Sequence, residues 1–253
     1  MADVKRPGIT LYTDGTPNGF KISIALEELG LPYKVEHVNI STNRQKEPWF
    51  LEINPNGRIP AITDTFADGK KIRLFESGSI LQYLVEQYDS EHKISYPAGS
   101  REHYETNNWL FFQNAGLGPM QGQAHHFVRY APEKIEYAIN RYVNETRRLY
   151  GVLDKHLQTS QSGYLVGDHI SIADITTIGW VIYAGWANVD IAEFPALKQW
   201  EEMMYARPGV KQGCDVPKPL KIKALLNDKD LMERKAQEGR KWIVQGMEED
   251  KKK

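Results

Sequence analysis

A small α/β domain on a mixed sheet, followed by an all-helical domain, is the architecture this sequence predicts. From Ile9 to about Ser90 short β-rich runs alternate with helical ones, whereas beyond about Gly99 strand patterns vanish and long amphipathic runs take over. The length of 253 residues suffices for two compact domains. The expected boundaries are 1–92 for the first domain, 93–212 for the helical one and 213–253 for a charged C-terminal extension.

Each element has a local reason. ITLYT is strand-like, and the helix after it carries Ile22, Ala25, Leu26 and Leu29 at helical spacing and stops at Gly30. YKVEHVNI reads as a second strand, and RIPAITD and KIRLF as a hairpin around the Asp-Gly of FADGK. The helix SGSILQYLVEQY closes the unit, and YDSEHKISYPAGS is the linker candidate. In the second domain NWLFFQ, KIEYAINRYVNETRRLYGVLDKHLQ, ISIADITTIGWVIYAGWA and LKQWEEMMYA repeat apolar residues every three or four positions. Ser171 and Asp174 form a capping box, with Ile170 and Ile175 as a staple, so a helix should begin at Ser171. After Pro208 the strongest helical stretch is DLMERKAQEGRKWIVQGM, and EEDKKK is expected to fray. Whether this tail covers a pocket, packs on the helical domain or floats is left open.

Composition narrows the function. With 32 basic and 33 acidic side chains, the net charge of -1 lacks the electrostatic footprint of a partner for nucleic acid or anionic membrane. The single cysteine, Cys214, rules out a disulfide framework or a Cys-x-x-Cys motif, fits a reducing compartment, and reads as a bystander outside the helical patterns. MADVKRPG has no apolar signal core and no apolar run reaches membrane-spanning length, so a cytoplasmic protein is expected. His125-His126 invites a metal, but adjacent histidines on a helix diverge and lack a carboxylate at ligand spacing, so no metal site is expected.

The chemistry gathers at the head of the first helix. A helix N-terminus favours an anion, and no cysteine stands at Thr16-Pro17-Asn18, so any thiolate there arrives with a ligand. An asparagine amide donating to that sulfur would lower its pKa; equally, Thr16 or Asn18 serves only as a cap. Ile59-Pro60 suggests a cis bond turning the Ile59 backbone toward an extended peptide, or merely an edge-strand proline. Glu76-Ser77, just before a helix, suits an ammonium at Glu76 and a carboxylate at Ser77, or only a cap. Taken in order, a thiolate site, a peptide clamp and an amino-acid clamp suit γ-glutamyl-cysteinyl-glycine.

TPNGFKI, NPNGRIPAI, FESGSILQYL, NNWLFFQNAGLGPMQGQAHHF and AINRYVNETRRLYGVL together resemble the glutathione transferases from about Ile9 to Arg207. Within them they look like the Nu-class bacterial enzymes and the fungal relatives of the yeast nitrogen-catabolite regulator. The resemblance implies a thioredoxin-like N-terminal domain, an all-helical C-terminal domain and a homodimer with the active site near its interface. It implies Asn18 as the thiol-stabilising residue with Thr16 beside it, ahead of Tyr12. It further implies Gln45 at the glycyl end of glutathione, Ile59 before Pro60 as the backbone clamp, Glu76 with Ser77 at the γ-glutamyl end, and Arg58 among the glutathione-binding residues. Arg141 resembles an arginine reaching the partner subunit's glutathione. Asn108, Trp109, Phe112, His126 and Phe127 are candidates for the electrophile side.

The expected activity is glutathione transfer to electrophiles, or glutathione-dependent reduction of disulfides or peroxides, with glutathione as co-substrate and no other cofactor. Glutathione disulfide is a possible ligand. The rival is a non-catalytic glutathione-binding regulatory protein.

Overall fold

The structure, a computed structural model, describes residues 8–251. The first domain runs β1 (Thr10–Thr13), α1 (Pro17–Leu29), β2 (Lys34–His37), a short α2 (Pro48–Leu51), β3 (Ala61–Thr65), β4 (Lys71–Phe75) and α3 (Ser77–Tyr88). Its sheet has the order β2-β1-β3-β4. β1 pairs parallel to β2 and antiparallel to β3, and β3 pairs antiparallel to β4. This is the mixed sheet and thioredoxin-like layout expected from the sequence. The buried Asp64 carboxylate ties β3 to α3 by accepting from the Tyr83 and Tyr88 hydroxyls.

The second domain is helical: α4 (Arg101–Phe111), α5 (Gly118–His125), α6 (Glu136–Leu157), α7 (Ile172–Val181), α8 (Pro195–Ala206) and α9 (Pro208–Cys214), then α10 (Ile222–Leu226) and α11 (Lys229–Asp250). Widened π-helical turns at Phe112–Leu117 and His126–Tyr130 follow α4 and α5. The capping box forms as expected: Ser171 accepts from the Ala173 N–H, and the Asp174 carboxylate accepts from the Ser171 N–H. That carboxylate also takes the Leu165 N–H and the Trp200 indole N–H, so it organises the core around α7.

Three tail readings need correction. Cys214 ends a helix, α9, and is fully buried. The seven residues of α9 include two glycines and show no apolar period; the helix is held by packing on α1, not by its own pattern. The expected start of the extension at 213 therefore falls inside a helix. EEDKKK is not simply frayed, since α11 continues through Asp250; Lys252 and Lys253 lie outside the described residues.

α1 is the hub. Thr16 caps it by accepting from the Gly19 N–H, Pro17 occupies its first turn, and Gly30 ends it with φ of 65°. It packs against α3, α7 and α9. At Gly213 the approach of α9 is so close that a Cβ would lie 2.5 Å from the Ile24 Cα, and the Ser23 hydroxyl donates to the Gly213 carbonyl at 2.6 Å. Gly213→Ala is therefore expected to lower stability by about 1–3 kcal/mol through overpacking, read as the shift in urea midpoint.

His125, buried and stacked on Trp180 with ring centroids 5.8 Å apart, has its pKa pushed from 6.5 down to about 3 by desolvation. Between those values the unfolded chain binds the extra proton, so stability falls as pH drops through that window. The expected result is a loss of urea stability on acidification that is smaller in His125→Gln; parallel losses would show that His125 does not carry it.

Candidate active site

A cleft opens where the head of α1 meets the helical domain. Its inner chamber, about 350 Å³, is lined by Thr16, Asn18, Gln45, Arg58, Ile59 and Pro60, with Glu76 and Ser77 closing its far wall. Its outer chamber, about 680 Å³, shares Asn18, Gln45, Arg58, Glu76, Ser77 and Trp180 and adds Lys21, His126 and Phe127. The segments that supply these residues are far apart in the chain, and the sheet and α1 bring them to one edge.

Asn18 is fixed rather than free. Its Oδ1 accepts the Trp180 indole N–H at 3.0 Å. Because the indole nitrogen only donates, the amide must turn its oxygen there, leaving both Nδ2 hydrogens for an occupant of the cleft. The Thr16 hydroxyl oxygen is engaged by the Gly19 N–H at 3.1 Å, so the capping role is Thr16's. Tyr12 points elsewhere, its hydroxyl 3.4 Å from that of Thr63.

The clamp positions have distinct local geometry. The Ile59-Pro60 peptide bond is cis. The preceding loop is braced by Asn54, whose amide donates to the Arg58 carbonyl at 2.6 Å. Glu76 sits at the head of α3 with φ of 69°, a conformation that costs a non-glycine residue on the order of 1–3 kcal/mol and concentrates at functional sites. Gln45 is 7% exposed, donates to Asn43 at 3.3 Å, and leaves its Oε1 without a partner. Deep in the wall Lys21, 1% exposed, donates from Nζ to Ser77 Oγ at 3.1 Å and to Gln113 Oε1 at 2.5 Å. Burial pulls its ammonium down to about 7, while the Glu76 carboxylate pulls the other way.

The structure separates the remaining expectations. His126 and Phe127 line the outer chamber from the second widened turn. Asn108, Trp109 and Phe112 do not line it, which corrects their placement on the electrophile side. Asn108 and Trp109 both donate to Glu105, and Trp109 packs its ring on Phe112 and His156. From the turn that follows α4 it is Gln113 and Asn114 that line the chamber. Arg141 stands on the outer face of α6, 3.8 Å from Glu145 and beside Tyr137, outside the cleft of its own chain. Among the described residues no group of three or more His, Cys, Asp or Glu is placed to hold a metal ion.

Sequence reasoning missed Lys21, Gln113, Asn114, Trp180 and the contribution of α11. α11 lies across the mouth, touching the 40–42 turn of the first domain and the 126–130 turn of the second. Trp242 lines both chambers, and Ile243 and Met247 line the outer one. Of the three fates considered for the tail, two hold together: it covers the pocket and packs on the helical domain, where the Arg240 guanidinium donates to the Arg129 carbonyl at 3.2 Å.

The profile of the glutathione S-transferase N-terminal domain matches residues 7–86, and that of the glutathione S-transferase C-terminal domain matches residues 103–208. The chain belongs to the glutathione S-transferase family. It is 44% identical to the disulfide-bond oxidoreductase YfcG of Escherichia coli over 222 residues, covering 87% of this chain and 97% of that one. The crystal structure of a glutathione transferase homologue from Lodderomyces elongisporus with two GSH per subunit superposes with a TM-score of 0.80 at 47% identity, covering 83% of this chain and 99% of that one. The glutathione transferase URE2P8 of Phanerochaete chrysosporium with oxidized glutathione gives a TM-score of 0.77 at 33% identity, covering 90% of this chain and all of that one. Bacterial oxidoreductases and Ure2p-like fungal transferases are thus both among its relatives. Among the described residues no helix is long and apolar enough to cross a membrane.

Ending the chain after Asn227 removes the cover that α11 lays over Tyr130, and with it the Trp242, Ile243 and Met247 side chains that line the cleft. The expected outcome is a several-fold rise in fluorescence of an added apolar dye, with the cooperative unfolding transition retained. Unchanged dye binding would mean that α11 does not shield the cleft in solution.

Proposed function

We propose that this protein is a cytoplasmic glutathione-dependent enzyme that binds glutathione in the inner chamber and ionises its thiol through Asn18 and the head of α1. The observation that carries the reading is the Asn18 amide, held by Trp180 with its donors left for a ligand, in a cleft with no thiol of its own. Cys214 is no substitute: burial in α9 pushes its thiol up to about 12. Glu76 takes the γ-glutamyl ammonium, Ser77 the α-carboxylate, the Ile59 backbone the cysteinyl unit, and Gln45 with Arg58 the glycyl end.

The bound thiolate then has two uses. In disulfide reduction it attacks one sulfur, forming a mixed disulfide and expelling the other as thiolate; a second glutathione thiolate attacks the mixed disulfide, giving glutathione disulfide and releasing the second thiol. A peroxide is reduced by the same two thiols, giving an alcohol and water. In conjugation the thiolate displaces a leaving group from an electrophile, the reaction of EC 2.5.1.18. The outer chamber, with His126 and Phe127 in its wall and about 680 Å³ of space, accommodates the second substrate. The crystallised relatives with two GSH or with oxidized glutathione support placing reduction beside conjugation.

The reading includes a homodimer. Exposed Tyr104, Phe111 and Tyr137 on α4 and α6 offer an apolar face to a second copy, and Arg141, next to Tyr137, would reach the partner's glutathione from there.

Ultraviolet thiolate absorbance of bound glutathione across pH tests the proposal. The wild type should titrate below the ordinary thiol value of about 8.5. In Asn18→Ala the titration should return toward that value, and kcat/KM should fall about 10- to 100-fold, the loss of a hydrogen bond to a charged group. A wild-type thiol that binds without a shift would favour the non-catalytic binding protein instead.

A further inference from the structure

Lys21 is hard to explain as packing. A lysine is almost never fully buried without a charged partner, yet Lys21 is 1% exposed and spends its ammonium on neutral oxygens: Ser77 Oγ, Gln113 Oε1 and, at 3.5 Å, Asn114 Oδ1. The groups facing it are few. α3 brings Glu76, the one ionisable group acting on it among the described residues, together with the Ser77 hydroxyl. The 112–117 turn brings the Gln113 and Asn114 amides, and α7 brings only Thr176, which donates to Gln113. Gln113 cannot be flipped, since both Lys21 and Thr176 donate to its oxygen, and its buried Nε2 has no partner. The wall therefore holds a cation, one carboxylate on the cleft surface and an unspent donor.

Resting on the glutathione reading above, we propose that Lys21 is the positioning residue for the ligand's α-carboxylate, acting through Ser77 Oγ. Lys21 donates to Ser77, which frees the Ser77 hydroxyl hydrogen, now directed to Asn114 at 3.3 Å, to donate to a carboxylate instead. Charges then alternate: Glu76 faces the ligand's ammonium, and Lys21 stands behind its carboxylate. In the free protein the ammonium is poised near neutrality, and a bound anion favours its charged form. Binding of the α-carboxylate should accordingly draw a proton onto Lys21 above neutral pH.

The test compares S-methylglutathione, which has no thiol to ionise, with its analogue built on 4-aminobutanoate, which keeps the amine and lacks the α-carboxylate. The expected wild-type preference for the carboxylate-bearing ligand is about 10- to 100-fold, and in Lys21→Gln it should collapse to a few-fold while the analogue's affinity holds. Calorimetry of the wild type at pH about 8, in buffers of different ionisation heat, should find proton uptake with S-methylglutathione and none with the analogue. This second measurement decides the matter if Lys21→Gln does not fold. Equal weakening of both ligands in the variant, or equal proton uptake with both in the wild type, would reduce Lys21 to a structural residue. Binding of neither ligand by the wild type would overturn the glutathione reading itself, and this inference with it.

Discussion

The first turn of α1 must be held in place from both domains, and the cleft depends on that constraint. At Gly179 a Cβ would lie 2.7 Å from the Pro17 carbonyl oxygen, so only a glycine lets α7 come this near. The next residue on α7 is Trp180, whose indole orients Asn18. Close packing and site geometry are therefore one arrangement, because the approach that buries α1 also delivers the hydrogen bond. One heptad further along the helix α9 presses Gly213 against Ile24 and holds the helix a second time. A hydrogen bond weakens steeply with misalignment, so rigidity at this helix is what a dipole and an amide need in order to act on a single sulfur.

Around this helix the protein accepts costs that an ordinary core avoids. Glu76 adopts a positive φ, Gln45 Oε1 and Gln113 Nε2 are buried without partners, and Lys21 is buried against neutral oxygens. Each opposes stability by an amount on the order of 1–3 kcal/mol for strain or an unmet polar group. They are not scattered: all four line one cleft. Outside this set Thr106 Oγ1 and Arg240 Nε are also buried without partners, whereas the buried carboxylates Asp64, Asp89 and Asp174 are well served. A fold able to satisfy three buried carboxylates has kept these exceptions where a zwitterionic peptide would meet them.

The first domain was legible almost element by element, because its signals are local. Asp-Gly set the hairpin and Gly30 ended α1; in the second domain Ser171 with Asp174 likewise started α7. The inner chamber was legible for a related reason: its residues stand at element ends, where caps and prolines leave marks in the sequence. What stayed hidden depends on pairs distant in the chain. Asn18 and Trp180 are 162 residues apart and Lys21 and Gln113 are 92, and no local pattern links them. Lys21 carries no local mark of burial, although its position one turn after Asn18 places it near the same site. Asn108, Trp109 and Phe112 were misplaced because amphipathic spacing shows that a helix has a buried face without showing which neighbour covers it. α9 left no periodic trace at all.

Under the proposed function, a cleft that takes its thiol from a ligand faces two opposed electrostatic effects. Excluding water, as Trp242 and the rest of α11 do at both chambers, raises a thiol's pKa by penalising the charged form, the effect that holds Cys214 protonated. The same exclusion lowers the local dielectric and strengthens each hydrogen bond aimed at the sulfur. The balance turns on whether donors are already in position. At Cys214 none is, and burial wins. At the head of α1 the amide of Asn18 and the N-terminal end of the helix dipole are both fixed before any ligand arrives, so closing the cleft adds to their effect. On this argument α11, through Trp242, is part of the proposed thiol site, and a more open relative must rely more heavily on the donors alone.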